Sequence, residues 1–167
     1  MDSLVIKIED CIYSRLEEQV YHSDNANDKP VRFDNCLLTL PSNFEISWEM
    51  KSNNLDYYFG LGVNNNGYNY LMAFRPYSDY QGYNYCYIYN RDSTTYTPTR
   101  CTVSVYPYYE YYECKIIKEG NTVSYYLNDT LAKTDTYKLG TLENLTIRGD
   151  VWFTGDVYWK NLKIKAL

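Results

Sequence analysis

The stretch "FEISWEMK", residues 44–51, sets Phe44, Ile46, Trp48 and Met50 on one side of the chain and Glu45, Ser47, Glu49 and Lys51 on the other. Successive side chains of an extended chain point to opposite faces, so this alternation fits a half-buried strand and does not fit a helix. It recurs in "NLKIKAL", where Leu162, Ile164 and Ala166 alternate with Lys163 and Lys165, and in "LVIKI" through Leu4, Ile6 and Ile8. The same reading predicts strands at Val31–Leu40, Tyr57–Val63, Tyr68–Phe74, Tyr83–Tyr89, Thr102–Tyr106, Tyr111–Lys118, Thr122–Asn128, Leu145–Arg148 and Val151–Trp159. Between them "VNNNGY", "EGN" and "LND" supply residues that tolerate positive φ, the chemistry of hairpin turns. Only "SRLEEQV", with Leu16 and Val20 four apart, reads as a helical turn, placed within Ser14–Tyr21. Many short strands with frequent turns and almost no helix specify an all-β protein, an antiparallel sandwich or barrel.

With 167 residues and no internal repeat or linker, one domain spanning 1–167 is expected, long enough to bury a real core. Sixteen Lys and Arg against 21 Asp and Glu leave a formal net charge of -5, without a basic run. That balance argues against binding a phosphate backbone or an anionic lipid surface, so neither nucleic acid nor membrane insertion is expected. The start "MDSLVIKIEDC" has no signal-peptide pattern, and no apolar stretch approaches the ~20 residues of a membrane span. A soluble chain is expected, its localisation otherwise open. The five cysteines, Cys11, Cys36, Cys86, Cys101 and Cys114, contain no C-x-x-C pair. They read as buried free thiols, with a Cys86–Cys101 bridge across two strands as the alternative.

Candidate chemistry is concentrated in the aromatic residues, which make up 18% of the chain and include 22 tyrosines. "YNYCYIY" puts Tyr83, Tyr85, Tyr87 and Tyr89 on one strand face, which is not the composition of an ordinary core face. In "YYFGLGV" the face opposite Phe59, Leu61 and Val63 carries Tyr58, Gly60 and Gly62, a ring beside bare backbone and thus a shallow floor. Together with Asn69, Tyr70, Arg75, Asp79 and Gln81 these residues supply what a glycan needs: rings for the C–H faces of sugars and polar groups for the hydroxyls. Tyrosine also favours strands and is enriched in interface cores, so the same face also reads as a surface buried against another copy, or as cladding of the sheet. The partner is accordingly a glycan or a protein, the latter including copies of this chain in a larger assembly. In "YPYYEYYECK", Tyr112, Cys114 and Ile116 share the inward phase, whereas Tyr108 and Tyr109 follow Pro107 and are expected in an exposed loop.

Catalytic and metal machinery is sparse. The one histidine, His22, falls in the polar stretch "HSDNANDKP" and reads as a surface loop residue. Asp24, Asn25, Asn27 and Asp28 are hard oxygen donors suited to calcium, or an Asx-rich turn; their spacing is not that of an EF-hand, and no cofactor other than calcium is suggested. There is no phosphate-binding glycine loop.

"YYECKIIKEGNTVSYYLNDTLAKT" and the closing "VYWKNLKIKAL" resemble the hairpins and final strand of concanavalin A-like jelly rolls, including laminin-G-like and 3-keto-disaccharide hydrolase domains, over about Val31–Leu167. "IKIEDCIYS" ahead of such a sandwich is similar to small jelly-roll domains of phage and archaeal-virus tail or surface proteins. The resemblance implies a jelly-roll sandwich acting in recognition or adhesion, with carbohydrate as ligand, on a virion or extracellular surface; the alternative is a structural virion or appendage subunit. "EISWE" looks like the E-x-D-x-E strand of jelly-roll β-glucanases, in which two glutamates are nucleophile and acid–base. Here Ser47 stands where the central aspartate would be. Regular strand separates the Cα atoms of Glu45 and Glu49 by about 13 Å, against the ~5 to 5.5 Å between carboxyls that a retaining glycosidase uses. A non-catalytic protein is expected.

Overall fold

The computed structural model describes residues 4–7, 13–23, 31–32, 36–52, 57–63, 70–78, 84–90, 99–101, 110–137, 145–151 and 155–167. All regular elements among them are strands: β1 (Leu4–Lys7), β2 (Tyr13–Arg15), β3 (Gln19–Ser23), β4 (Val31–Arg32), β5 (Cys36–Thr39), β6 (Phe44–Ser52), β7 (Tyr57–Val63), β8 (Tyr70–Ser78), β9 (Asn84–Asn90), β10 (Thr99–Arg100), β11 (Tyr112–Glu119), β12 (Thr122–Leu127), β13 (Thr130–Thr136), β14 (Leu145–Val151) and β15 (Gly155–Ala166). They form two sheets. An eight-stranded sheet runs β1-β5-β14-β7-β8-β9-β10, with β4 also on β14, and a seven-stranded sheet runs β13-β12-β11-β6-β15-β2, with β3 also on β15. The ladders are antiparallel except that of β1 with β5, which is parallel.

The two sheets meet through the alternating apolar faces that the sequence displays. Phe44, Ile46, Trp48 and Met50 of β6 are buried together with Leu162 and Ile164 of β15, in the expected register. Tyr112, Cys114 and Ile116 of β11 and Val123, Tyr125 and Leu127 of β12 continue this layer, and Leu61, Met72, Phe74, Cys86 and Ile88 face it from the other sheet. Phe74 stands edge-on between the sheets, its ring 5.7 Å from Trp48 and 5.8 Å from Tyr125. Such edge-to-face pairs contribute about 0.5–1.5 kcal/mol each beyond their burial. Asn90 of β9 reaches from one sheet to the other, its buried amide donating to the Thr136 carbonyl of β13 at 3.0 Å.

The hairpins follow their turn residues. Asn128 and Asp129 have φ of 47° and 62°, so the two-residue connection of β12 to β13 has both central residues left-handed, as the right-handed twist of a hairpin prefers. Lys118 lies in phase with the inward residues of β11 and is buried; its ammonium donates to the carbonyls of Ser42 and Gly120 and lies 4.5 Å from the Tyr137 ring. Burial holds its pKa below the ordinary lysine value.

Three expectations change. The segment Ser14–Tyr21 is not helical: β2 and β3 pair along β15, and Leu16 and Val20 are exposed, so their spacing of four serves no buried helix face. His22 stands in β3 opposite Asp156, not in a loop. Of the strand expected at Val151–Trp159, Val151 ends β14, and Gly155–Trp159 runs on into "NLKIKAL" as one strand, β15, whose ladder with β6 slips between Lys160 and Lys163. Asn161 there has φ of 53° and the extra residue of the bulge changes the phase, so that Val157 and Trp159 before it and Leu162 and Ile164 after it all face the core. The hairpin turn at "LND" implies a return strand, and β13 is that strand, although "TLAKTDT" is a sheet edge with exposed Leu131 and no alternating apolar face of its own.

Cys86, Cys101 and Cys114 are buried free thiols. Cys86 and Cys101 do sit side by side, the Cys101 amide donating to the Cys86 carbonyl at 2.9 Å, without a disulfide. Burial pushes the Cys86 and Cys114 thiols well above the usual cysteine range. The turn at "VNNNGY", the strand expected at Thr102–Tyr106, and Tyr108 and Tyr109 lie outside the described residues.

Candidate functional site

The inward residues of β9 are Cys86, Ile88 and Asn90, which leaves Tyr87 half-buried on the outer face of the eight-stranded sheet. Strand positions 85 and 89 share its parity. Tyr87 lies directly opposite Arg75 of β8 on one side and Arg100 of β10 on the other. The Arg75 guanidinium carbon is 5.8 Å from the centre of the Tyr87 ring, within the range of a cation–π contact, and Arg100 is exposed. The outer face therefore presents an Arg–Tyr–Arg row across three adjacent strands.

Of the other residues read from sequence, Tyr85 is opposite Tyr77 and Tyr89 is opposite Ala73. Tyr58 is opposite Asp150 of β14, and Tyr70 is opposite Gly62 of β7. Asn69, Asp79, Gln81 and Tyr83, and the calcium candidates Asp24, Asn25, Asn27 and Asp28, lie outside the described residues. Among the described residues no group of three His, Cys, Asp or Glu side chains is placed to hold a metal ion.

The floor beside the rings differs from expectation at Gly60. Gly60 and its cross-strand neighbour Ala73 are fully covered, and a Cβ built on Gly60 would lie 2.3 Å from the Met72 carbonyl oxygen. Glycine is needed there because β7 and β8 approach closely, not because a ligand rests on bare backbone. Among the side chains described on this face, Arg75 and Tyr87 are half-buried and Arg100 is exposed.

Sequence reasoning missed Arg100, which joins the row only through strand pairing, and Tyr77, which pairs with Tyr85 beside it. It also missed a polar cluster on the outer face of the seven-stranded sheet. Tyr111, immediately before β11, donates its hydroxyl to Glu18, and its ring lies 4.6 Å from the Lys51 ammonium and 4.1 Å from that of Lys160. Lys51 is also 5.1 Å from the Tyr158 ring, and the Tyr158 hydroxyl donates to Asp156 at 3.3 Å. Burial and the Glu18 carboxylate raise the pKa of Tyr111, and burial and Asp156 raise that of Tyr158, so both phenols stay protonated at neutral pH. These groups are directed at one another. The cluster ties the break between β2 and β3 to the sheet beside it.

Glu45 and Glu49 occupy the same outer face, with Trp48 inside, as the alternation requires. Glu45 is 3.4 Å from the Lys165 ammonium, and Glu49 accepts from the Asn161 amide. Ser47 between them is opposite Lys115 and Lys163. The two carboxylates are thus held by different partners on β15.

No protein-family model matches the sequence, and a search of curated protein sequences found no match. Solved structures do share the fold. The Emp47p carbohydrate recognition domain superposes with a TM-score of 0.61 at 8% identity, over 96% of this chain and 90% of that one. The alginate lyase AlyC3 gives 0.57 at 16% identity, over 90% and 75%. The carbohydrate binding module CBM66 from Bacillus subtilis gives 0.54 at 13% identity, over 95% and 98%. The architecture is that of a concanavalin A-like jelly-roll sandwich.

Proposed function

We propose that this concanavalin A-like sandwich is a non-catalytic carbohydrate-binding module whose ligand lies along the outer face of the eight-stranded sheet, centred on Tyr87. The observation that carries the reading is the Arg75–Tyr87–Arg100 row. It pairs an aromatic ring for the apolar face of a sugar with guanidinium donors for its oxygens, on a partly exposed surface. Two of the similar structures are a carbohydrate recognition domain and a carbohydrate binding module, in keeping with a binding role. An alginate lyase shares the fold as well, so the absence of catalysis is argued from this chain alone: Ser47 stands between Glu45 and Glu49, and each glutamate is engaged by its own partner. Binding is proposed to need no cofactor; a loss of binding in chelator, restored by calcium, would overturn this and make Asp24, Asn25, Asn27 and Asp28 the ligands to mutate.

The test is a polysaccharide panel in affinity gels, with the solution mass of the protein measured alongside. Tyr87→Ala should weaken binding by about 0.5–1.5 kcal/mol, the worth of one aromatic contact, while leaving the melting temperature near that of the wild type. A stable multimer that ignores every glycan would instead favour a structural subunit with its tyrosines between copies. Release of reducing ends, abolished by Glu45→Gln or Glu49→Gln, would overturn the non-catalytic assignment.

A further inference from the structure

We infer that the glycan recognised by this face is a polyanion, a chain of carboxylated or sulfated sugars; the inference rests on the binding reading above and narrows its ligand. Cross-strand partners in a sheet share a face, so the ladders define which charged positions accompany Tyr87. Arg32 is opposite Arg148, Arg148 opposite Gly60, Gly60 opposite Ala73, and Ala73 opposite Tyr89, a row across β4, β14, β7, β8 and β9 whose middle, at Gly60 and Ala73, is buried, so that the positions of Arg32 and Arg148 lie on the far side of that cover from Tyr87. Arg75 and Arg100 belong to the adjacent row through Tyr87. Lys7 is opposite Thr39 on β5, whose neighbour Leu38 shares the inward phase of Leu145; Lys7 is thus also at an outward position. Among the described strand positions the outer face of this sheet carries Lys7, Arg32, Arg75, Arg100 and Arg148, against Asp150 as its one acidic position.

This distribution opposes the chain as a whole, which has a net charge of -5, and gathers four of its six arginines on one face. The other outer face shows no such excess: Lys51, Lys115, Lys160, Lys163 and Lys165 share it with Glu45, Glu49, Glu113, Glu119 and Asp156. Guanidinium groups match carboxylate and sulfate oxygens in a planar fork, which is their advantage over lysine at such sites. Strands lie about 4.8 Å apart, so Arg75 and Arg100, two strands apart, present positive charge at intervals of about 10 Å. That spacing suits a ligand with charges repeated along its length rather than one isolated anion. A single-stranded nucleic acid offers the same pairing of charge and stackable ring, and the overall negative charge of the protein disfavours that denser polyanion.

The experiment compares polygalacturonate, chondroitin sulfate, neutral β-mannan and a single-stranded oligonucleotide as ligands of the whole chain, by affinity electrophoresis and titration at low and physiological ionic strength. We expect binding to one or both acidic glycans, a loss of roughly tenfold in affinity on adding salt as screening closes to about 8 Å, and little binding to mannan. Arg100→Gln, on an exposed side chain, should weaken the acidic glycan about three- to tenfold without moving the melting temperature, and Arg75→Gln with Arg100→Gln should weaken it further. Salt-insensitive binding to mannan, lost in Tyr87→Ala and kept in Arg100→Gln, would refute the polyanion and leave the carbohydrate-binding reading intact. Failure to bind any of the three glycans would refute both. Preference for the oligonucleotide over every glycan would also overturn the inference.

Discussion

The bulge at Asn161 is where one residue decides the facing of half a strand. Its φ of 53° lies in the left-handed region, which costs an ordinary L-residue about 1–2 kcal/mol and glycine nothing. Its amide also donates to Glu49. Hydrogen bonds to charged groups contribute about 1.5–3 kcal/mol, and half-exposure brings this one to about 1 kcal/mol. Asn161→Gly keeps the backbone geometry and loses the amide, a destabilisation of about 1–2 kcal/mol once the added freedom of glycine in the unfolded chain is included. Asn161→Ala loses the amide and must hold the left-handed conformation, about 2–3 kcal/mol. Removing Asn161 altogether takes away the bulge together with the amide. Lys160 is then followed directly by Leu162, the ladder with β6 becomes regular, and Leu162 and Ile164 keep their inward facing, so the deletion loses the Glu49 contact without exposing the core. Denaturant melts of the three variants should rank wild type above glycine and glycine above alanine, with the deletion still cooperatively folded and m unchanged for the two substitutions. Glycan binding, on the other sheet, should be retained in both substitutions. An alanine variant as stable as the glycine variant would show that backbone conformation at this bulge does not govern the phase of β15.

Phe74→Ala should cost about 3–5 kcal/mol, since it empties the space between Trp48 and Tyr125, whereas Tyr87→Ala should cost under about 1 kcal/mol; thermal melts of the pair distinguish core from surface. Gly60→Ala should destabilise by about 1–3 kcal/mol or more in denaturant melts, because the added methyl meets the Met72 carbonyl and the Ala73 backbone. Stability should fall as pH rises above about 9: burial raises the pKa of Cys86, Cys114 and Tyr125 and pushes Tyr137 up to about 12, so the unfolded chain releases these protons first and gains the advantage. Lys118, held low by burial, acts in the opposite sense below its ordinary value of 10.5 and offsets part of that loss. At the acid end, burial draws the Asp135 carboxyl upward but bonds from Asn90, Lys133 and the Thr136 amide hold it at about 2, so its contribution is full above its ordinary value of 3.8 and is lost as pH falls toward 2. Melts across the pH range that showed no alkaline decline would refute the assignment of these tyrosines and thiols to the interior.

Where one face of a strand is buried and the other wet, the alternation is written in the residues themselves, and β6, β11, β12 and both halves of β15 could be read directly with their facing. The Asn128–Asp129 hairpin was legible for a similar local reason, since few residue pairs accept two left-handed conformations in succession. The tyrosine parity in β9 belonged to the same class of information. Tertiary structure decided the remainder. The edge strands β2, β3 and β13 form because a neighbouring strand offers its backbone hydrogen bonds, a gain that leaves no apolar period in "SRLEEQV" or "TLAKTDT". The bulge that joins two apparent strands into β15 interrupts the period it serves, so sequence shows a break where the ladder continues. The cover over Gly60 and the company of Tyr87 are likewise products of strand order. Arg75, Arg100 and Arg148 come from three separate strands, and only long-range pairing, which no local pattern encodes, brings them onto one face.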